Sequence, residues 1–238
     1  MTPHQKTPLG KYFVGDSLKL LTSAPFKKYR GKIQLIFTSP PFPLNTKKSY
    51  GNLKGQEYKR WFVGLADIFS ELISERGSIV IELGNSWIPG RPIQSLLPME
   101  SLIEFLNSPR ANLRLCQQFI SYNPSKLPSP AQWVNVERNR VTDSFTHLWW
   151  MSKTDYPKAD NKKVLRPYSK SMKLLLSRKE YNSGKRPSEH NISPKGFLKN
   201  NKGSISPNVF EIEPMDLHRE NRLPNAFSFS NTNSMDFF

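Results

Sequence analysis

The sequence predicts an α/β fold: a short sheet with a strand-helix-strand unit of the parallel kind at its centre, followed by a basic, loop-rich lobe. Three observations carry this. Ile33-Gln34-Leu35-Ile36-Phe37 is a short apolar, partly β-branched run that stops at Pro40-Pro41. An amphipathic stretch and a second apolar run, Ser78 to Gly84, follow it. Beyond Met151 the composition changes to Lys, Asn, Ser and Pro with thin hydrophobic periodicity.

The first run reads as a buried strand, and the two prolines make its exit stiff because each fixes φ and removes a backbone donor. The C-terminal ends of strands are where open α/β sheets place ligand chemistry. This exit carries a hydroxyl (Ser39), a carbonyl (Pro40) and an aromatic ring (Phe42), a set suited to a flat base bearing an exocyclic amine. Upstream, Lys11 to Val14 reads as a short strand, and Gly15-Asp16-Ser17 as the turn into a helix with Leu18, Leu20 and Leu21.

Downstream, Pro43 to Asn52 is a polar loop with Lys47, Lys48, Tyr50 and Gly51. From Glu57 to Glu75 the spacing of Trp61, Leu65, Ile68, Phe69, Leu72 and Ile73 predicts a helix with one broad apolar face, ended by Gly77. Asn85 and Trp87 then fall on the same rim as Ser39 to Phe42. A helix is expected over Met99 to Leu106, a strand from Leu113 to Ser121, a rigid proline-rich connection through Pro124, Pro128 and Pro130, and a buried strand from Phe145 to Met151.

A formal charge of +16 is the footprint of a polyanion binder. Residues 151 to 210 hold 14 Lys and Arg against 4 Asp and Glu, so this quarter of the chain carries +10 of the total. Nucleic acid is the first partner to consider. No apolar run has transmembrane length and no signal peptide follows Met1, which points to a cytoplasmic protein. A single cysteine, Cys116, permits no internal disulfide, and His4, His147, His190 and His218 have no ligand spacing, so no metal is expected.

Thr38-Ser39-Pro40-Pro41-Phe42 resembles motif IV of the amino-methylating DNA methyltransferases, in the Ser-Pro-Pro-Phe/Tyr form of the enzymes that methylate N4 of cytosine. Lys48-Ser49-Tyr50-Gly51 after it resembles the same pattern, and Arg186-Pro187-Ser188, Phe197 and Ser206 to Val209 resemble the variable lobe of the PvuII-type group. The resemblance implies a partial Rossmann-like methyltransferase sheet over residues 1–151, a target-recognition lobe over 152–225, and at 226–238 the start of a C-terminal half that is missing or truncated. It implies S-adenosylmethionine as methyl donor, double-stranded DNA as substrate, and a restriction-modification setting.

By that resemblance Ser39, Pro40, Pro41 and Phe42 are the catalytic candidates. Ser39 Oγ and the Pro40 carbonyl accept the two N–H groups of the amine, and Phe42 stacks on the extruded ring. Thr38, Asp16 and Ser17 are cofactor-binding candidates, with a plain helix cap as the alternative reading of Asp16 and Ser17. Lys47, Lys48, Tyr50, Arg166, Lys185 and Arg186 are the DNA-binding candidates. Adenine-N6 methylation, which the same fold performs with Asp or Asn in place of Ser39, and a catalytically inactive DNA-binding fragment are the alternatives. Cytosine-C5 methylation needs a cysteine nucleophile, and Cys116 lies within a predicted strand without the preceding proline of that motif. No Asp-Pro-Phe-x-Gly-x-Gly-like turn occurs in the sequence. The expectation is therefore a truncated enzyme or one chain of a split enzyme, inactive alone, with one flank of the Ile33 to Thr38 strand left for a second half to pair.

Overall fold

The computed structural model describes residues 2–43, 53–179, 183–193, 196 and 198–212. The elements are β1 (Gln5–Thr7), β2 (Gly10–Tyr12), α1 (Ser17–Thr22), β3 (Ile33–Thr38), α2 (Gly55–Leu72), β4 (Ile73–Gly84), α3 (Leu97–Leu106), β5 (Arg114–Tyr122), β6 (Phe145–Ser152), α4 (Lys170–Arg178), β7 (Gly184–Lys185), β8 (Asn191–Ile192) and β9 (Val209–Glu211). They fall into two compact units. Residues up to Lys158, with β9, form the first; Ala159–Pro207 forms the second.

The first unit is built on a five-stranded sheet of order β3-β4-β6-β5-β9. β3 and β4 are parallel and joined through α2, whereas β6 runs antiparallel to β4 and β5. The parallel strand-helix-strand unit is thus present inside a mixed sheet. The apolar face of α2 packs Tyr58, Phe62, Leu65, Ala66 and Phe69 against Ile79, Ile81 and Leu83 of β4 and Trp149 and Met151 of β6. α3 adds Phe105, whose ring centroid lies 5.3 Å from that of Phe62. Burying these large side chains is the main source of stability, because each removes extensive apolar area from water.

Four expectations are corrected. β3 is only half-buried rather than buried, because it stands at the edge of the sheet and pairs only with β4 among the described residues. α2 spans 55–72 instead of 57–75, and Ile73 opens β4. Gly77 does not end the helix; it lies within β4, where a Cβ would come 2.8 Å from the Ile33 carbonyl oxygen, so glycine there permits a close backbone approach. The strand near Lys11 pairs with β1 in a separate two-stranded ribbon and lends nothing to the main sheet.

In the second unit α4 and the β7–β8 hairpin are the regular elements apart from a 3-10 turn at Asn161–Val164. Arg166 and Ser204 exchange two backbone hydrogen bonds of 2.9 Å. Gly203 makes this possible, since a Cβ there would stand 2.7 Å from the Arg166 carbonyl oxygen. No helix among the described residues is long and apolar enough to cross a membrane.

Candidate functional site

Because β3 and β4 are parallel and β6 is antiparallel to β4, the exit of β3, the exit of β4 and the entry to β6 lie side by side at one rim of the sheet, with the exits of β5 and β9 beyond them. Thr38 pairs with Ile81 as the last residue of β3. Ser39 then emerges exposed, while Pro40 and Pro43 are buried and Pro41 and Phe42 half-buried. The flanking prolines are therefore anchored, and the hydroxyl between strand and prolines faces solvent. Phe42 packs against the core, its ring resting on the backbone of Gly84, where a Cβ would stand 2.6 Å from Cε2. Glycine at the end of β4 is thus dictated by the aromatic ring above it.

Asn85, the residue that follows β4, is held by a chain of hydrogen bonds. The Gln118 amide Nε2 lies 2.7 Å from His147 Nδ1, His147 Nε2 lies 3.0 Å from Asn85 Oδ1, and Asn85 Nδ2 donates to Asp143 Oδ1 at 2.8 Å. An amide nitrogen only donates and an amide oxygen only accepts, so His147 is neutral, with its proton on Nε2. Burial holds its pKa below the ordinary imidazole value, opposed by the Asp143 carboxylate. The ring also stacks on Trp149, with centroids 5.6 Å apart. The network joins β5, β6, the exit of β4 and the loop entering β6, and so sets the rim beside Phe42.

Beyond Asn85 the chain turns back on itself: Ser95 N–H donates to the Ser86 carbonyl at 2.8 Å and Ile88 N–H to that of Ile93 at 2.9 Å. Between this turn, Pro43 and the first residues of α2 opens a cleft of about 610 Å³, walled by Trp87, Ile93 and Leu97, with Glu100 at α3. Ser86 Oγ is buried at this cleft and has no hydrogen-bond partner among the described residues. The rim therefore has space beside the proline turn and a polar atom able to meet a ligand.

The remaining candidates are placed differently. Asp16 caps α1, its Oδ1 accepting from Leu18 N–H at 3.0 Å and Lys19 N–H at 3.2 Å, with Ser17 exposed beside it. Lys47, Lys48 and Tyr50 lie outside the described residues, as does the 226–238 segment. Arg166 is exposed at the backbone bridge to Ser204. Lys185 is ion-paired with Glu189 at 2.5 Å, and Arg186 is half-buried on β7's exit. The Gln118–His147–Asn85–Asp143 network leaves no signal in the local sequence pattern, because its members lie 29 or more positions apart along each hydrogen bond. No group of His, Cys, Asp and Glu among the described residues could hold a metal ion.

A family model described as DNA methylase matches residues 33–229. The type II methyltransferase M.PvuII of Proteus hauseri is 42% identical over 212 residues, which are 88% of this chain and 61% of that protein. A solved structure described as the PvuII DNA methyltransferase, cytosine-N4-specific, superposes with a TM-score of 0.60 at 33% identity, covering 86% of this chain and 57% of that one. The chain spans about three fifths of the length of these relatives.

Proposed function

The chain belongs to the DNA methylase family, and on that premise we propose that it is the acceptor-side part of an S-adenosylmethionine-dependent methyltransferase acting on N4 of cytosine in duplex DNA, in a restriction-modification setting. Its sheet is of the Rossmann-like α/β class, in partial form. The observation that carries the proposal is the exposed Ser39 hydroxyl at the exit of β3, fixed between a paired strand and two anchored prolines.

Methylating an aromatic amine is hard because its lone pair is conjugated into the ring. Ser39 Oγ and the Pro40 carbonyl, held on a stiff turn, accept the two N–H groups of an extruded cytosine and favour a pyramidal nitrogen with its lone pair exposed. The anchored turn does not reorganise as this happens, which is where its catalytic value lies. N4 must also give up one proton on methylation, and the exposed hydroxyl is next to solvent that takes it. Phe42, seated on Gly84, sets the depth of the base beside the turn. Peptide planes and hydroxyls suffice for this acceptor chemistry; no thiol adduct is required.

S-adenosylmethionine, when bound, supplies an electrophilic methyl group on a sulfonium. The described residues fit the acceptor wall of such a site and do not form a cofactor cradle. The glycines in close backbone or ring contact, Gly77, Gly84 and Gly203, all lie elsewhere than a strand-to-helix turn. Thr38, Asp16 and Ser17 are proposed to form one side of that cradle, and the rest to come from a polypeptide segment that completes the sheet at β3. That segment is supplied by a second chain or by further sequence of the same protein.

The test is direct. Purified residues 1–238 are expected to bind S-adenosylmethionine weakly or not at all by equilibrium dialysis, and to methylate no DNA unless a polypeptide carrying the glycine-motif half is added. With it, N4-methylcytosine appears in digested DNA. Methyl transfer by residues 1–238 alone would overturn the split reading, and N6-methyladenine as product would overturn the choice of base.

A further inference from the structure

We propose that α4 is a recognition helix, entering the major groove of duplex DNA with Lys170, Leu174 and Ser177 toward the base edges and Lys173 and Arg178 toward the phosphates on either side. This deepens the target-recognition reading of the second unit and rests on it.

The helix has the composition and mounting for that task. Its nine residues, Lys-Ser-Met-Lys-Leu-Leu-Leu-Ser-Arg, include no acidic side chain. At about 100° per residue, positions 170, 173, 174, 177 and 178 share one face some 140° wide. All five are exposed, with Leu174 at 49% of its full area, whereas Met172, Leu175 and Leu176 on the opposite face are half-buried. Lys170, Leu174 and Ser177 run along the middle of the exposed stripe; Lys173 and Arg178 flank it on opposite sides. Neither Lys170, Lys173 nor Arg178 forms an ion pair among the described residues, in contrast to Lys185, which Glu189 holds.

Both ends of the helix are defined. Ser169 Oγ accepts from Met172 N–H at 3.2 Å, and Lys179, at φ 57°, donates its N–H to the Leu175 carbonyl at 2.9 Å and stops the helix. The segment leading in is pinned by the Arg166–Ser204 backbone bonds and by Tyr168, whose hydroxyl accepts from Asn201 N–H at 2.8 Å. A nine-residue helix is about 13 Å long, and the major groove of B-DNA is about 12 Å wide. An isolated exposed leucine in a cationic stripe suits a thymine methyl flanked by phosphates. The geometry disfavours a membrane surface, which would need the apolar face outward, and A-form RNA, whose major groove is too narrow for a helix.

The test uses the whole chain and a duplex DNA library with a randomised core, selected and sequenced in the absence of S-adenosylmethionine. Wild type is expected to select a short preferred sequence. Lys173→Ala and Arg178→Ala are expected to weaken binding to all duplexes alike, each lowering the slope of log K against log salt by about 0.9. Lys170→Ala, Leu174→Ala and Ser177→Ala are expected to change the selected bases at one to three adjacent positions while leaving binding to random duplex within about threefold. All five side chains are exposed, and an unchanged melting temperature verifies folding. The proposal is overturned if wild type selects no sequence, if the three central variants select the wild-type sequence, or if duplex RNA competes as well as DNA. A chain that selects DNA through α4 and never supports methylation would count against the enzymatic reading alone.

Discussion

The ring of Phe42 rests on the backbone of Gly84, so close that a Cβ at position 84 would stand 2.6 Å from Cε2 and 2.7 Å from Cδ2. No side chain fits there unless the ring moves. Gly84→Ala is therefore expected to destabilise the first unit by about 1–3 kcal/mol through overpacking. The loss should shrink in a Phe42→Leu background, because the smaller side chain leaves room, giving a coupling of about 0.5 kcal/mol or more. Urea unfolding of the wild type, both single variants and the double variant measures this, and strictly additive effects would refute the contact.

Ser39 is exposed while the prolines around it are buried or half-buried. Replacing it with alanine should leave stability within about 0.5 kcal/mol. In the proposed methylating assembly, losing one hydrogen bond to the amine, about 1.4 kcal/mol or more, should slow methyl transfer at least about tenfold. A Ser39→Ala variant with wild-type turnover would remove Ser39 from its role as amine acceptor.

His147 makes stability depend on pH. Burial holds its folded pKa below the unfolded value near 6.5, so between the two the unfolded chain binds more protons and stability rises with pH. Its contribution is complete above about pH 6.5 and is lost as pH falls through the depressed folded pKa. Protonating Nδ1 also turns the acceptor of the Gln118 amide into a donor. Unfolding free energies measured between about pH 7 and 5 should fall more steeply for wild type than for His147→Gln, and parallel curves would contradict the buried neutral imidazole.

Cys116 is expected to be unreactive. Burial first, and the Asp155 carboxylate second, push its thiol up to about 11 against the opposing pull of Arg114. Alkylation by iodoacetamide at pH 8 should run roughly a hundredfold slower than for a free thiol, in proportion to the thiolate present. Cys116→Ala should support methyl transfer undiminished in the proposed assembly, as the proposed reaction at an exocyclic amine requires. Rapid labelling, or loss of activity in the alanine variant, would contradict this.

Much of the first unit was legible because its strands carry short apolar runs and its main helix a clear stripe. The register of that stripe was less so. Tyr58 and Phe62 face the interior almost completely, whereas Trp61, at the margin of the same face, packs against the core half-buried; a run of aromatic residues does not show which of them marks the centre of the stripe. Gly77 illustrates a second limit. A glycine after a helical stripe reads as a stop, and only the proximity of the Ile33 carbonyl reveals the backbone contact it allows. In the basic lobe the cationic stripe of α4 emerges only once the helix bounds are fixed by Ser169 and Lys179.

By itself the sequence determined the stiff proline turn after β3 and the hydroxyl it presents, since proline restricts φ wherever it stands and Ser39 precedes two of them. It also determined where the positive charge lies, because charge is additive along a chain. Tertiary structure alone decided that Asn85, Gln118, Asp143 and His147 form one network and that Gly84 carries Phe42. Those relations follow from strand order and register, which bring distant residues within hydrogen-bonding or contact distance.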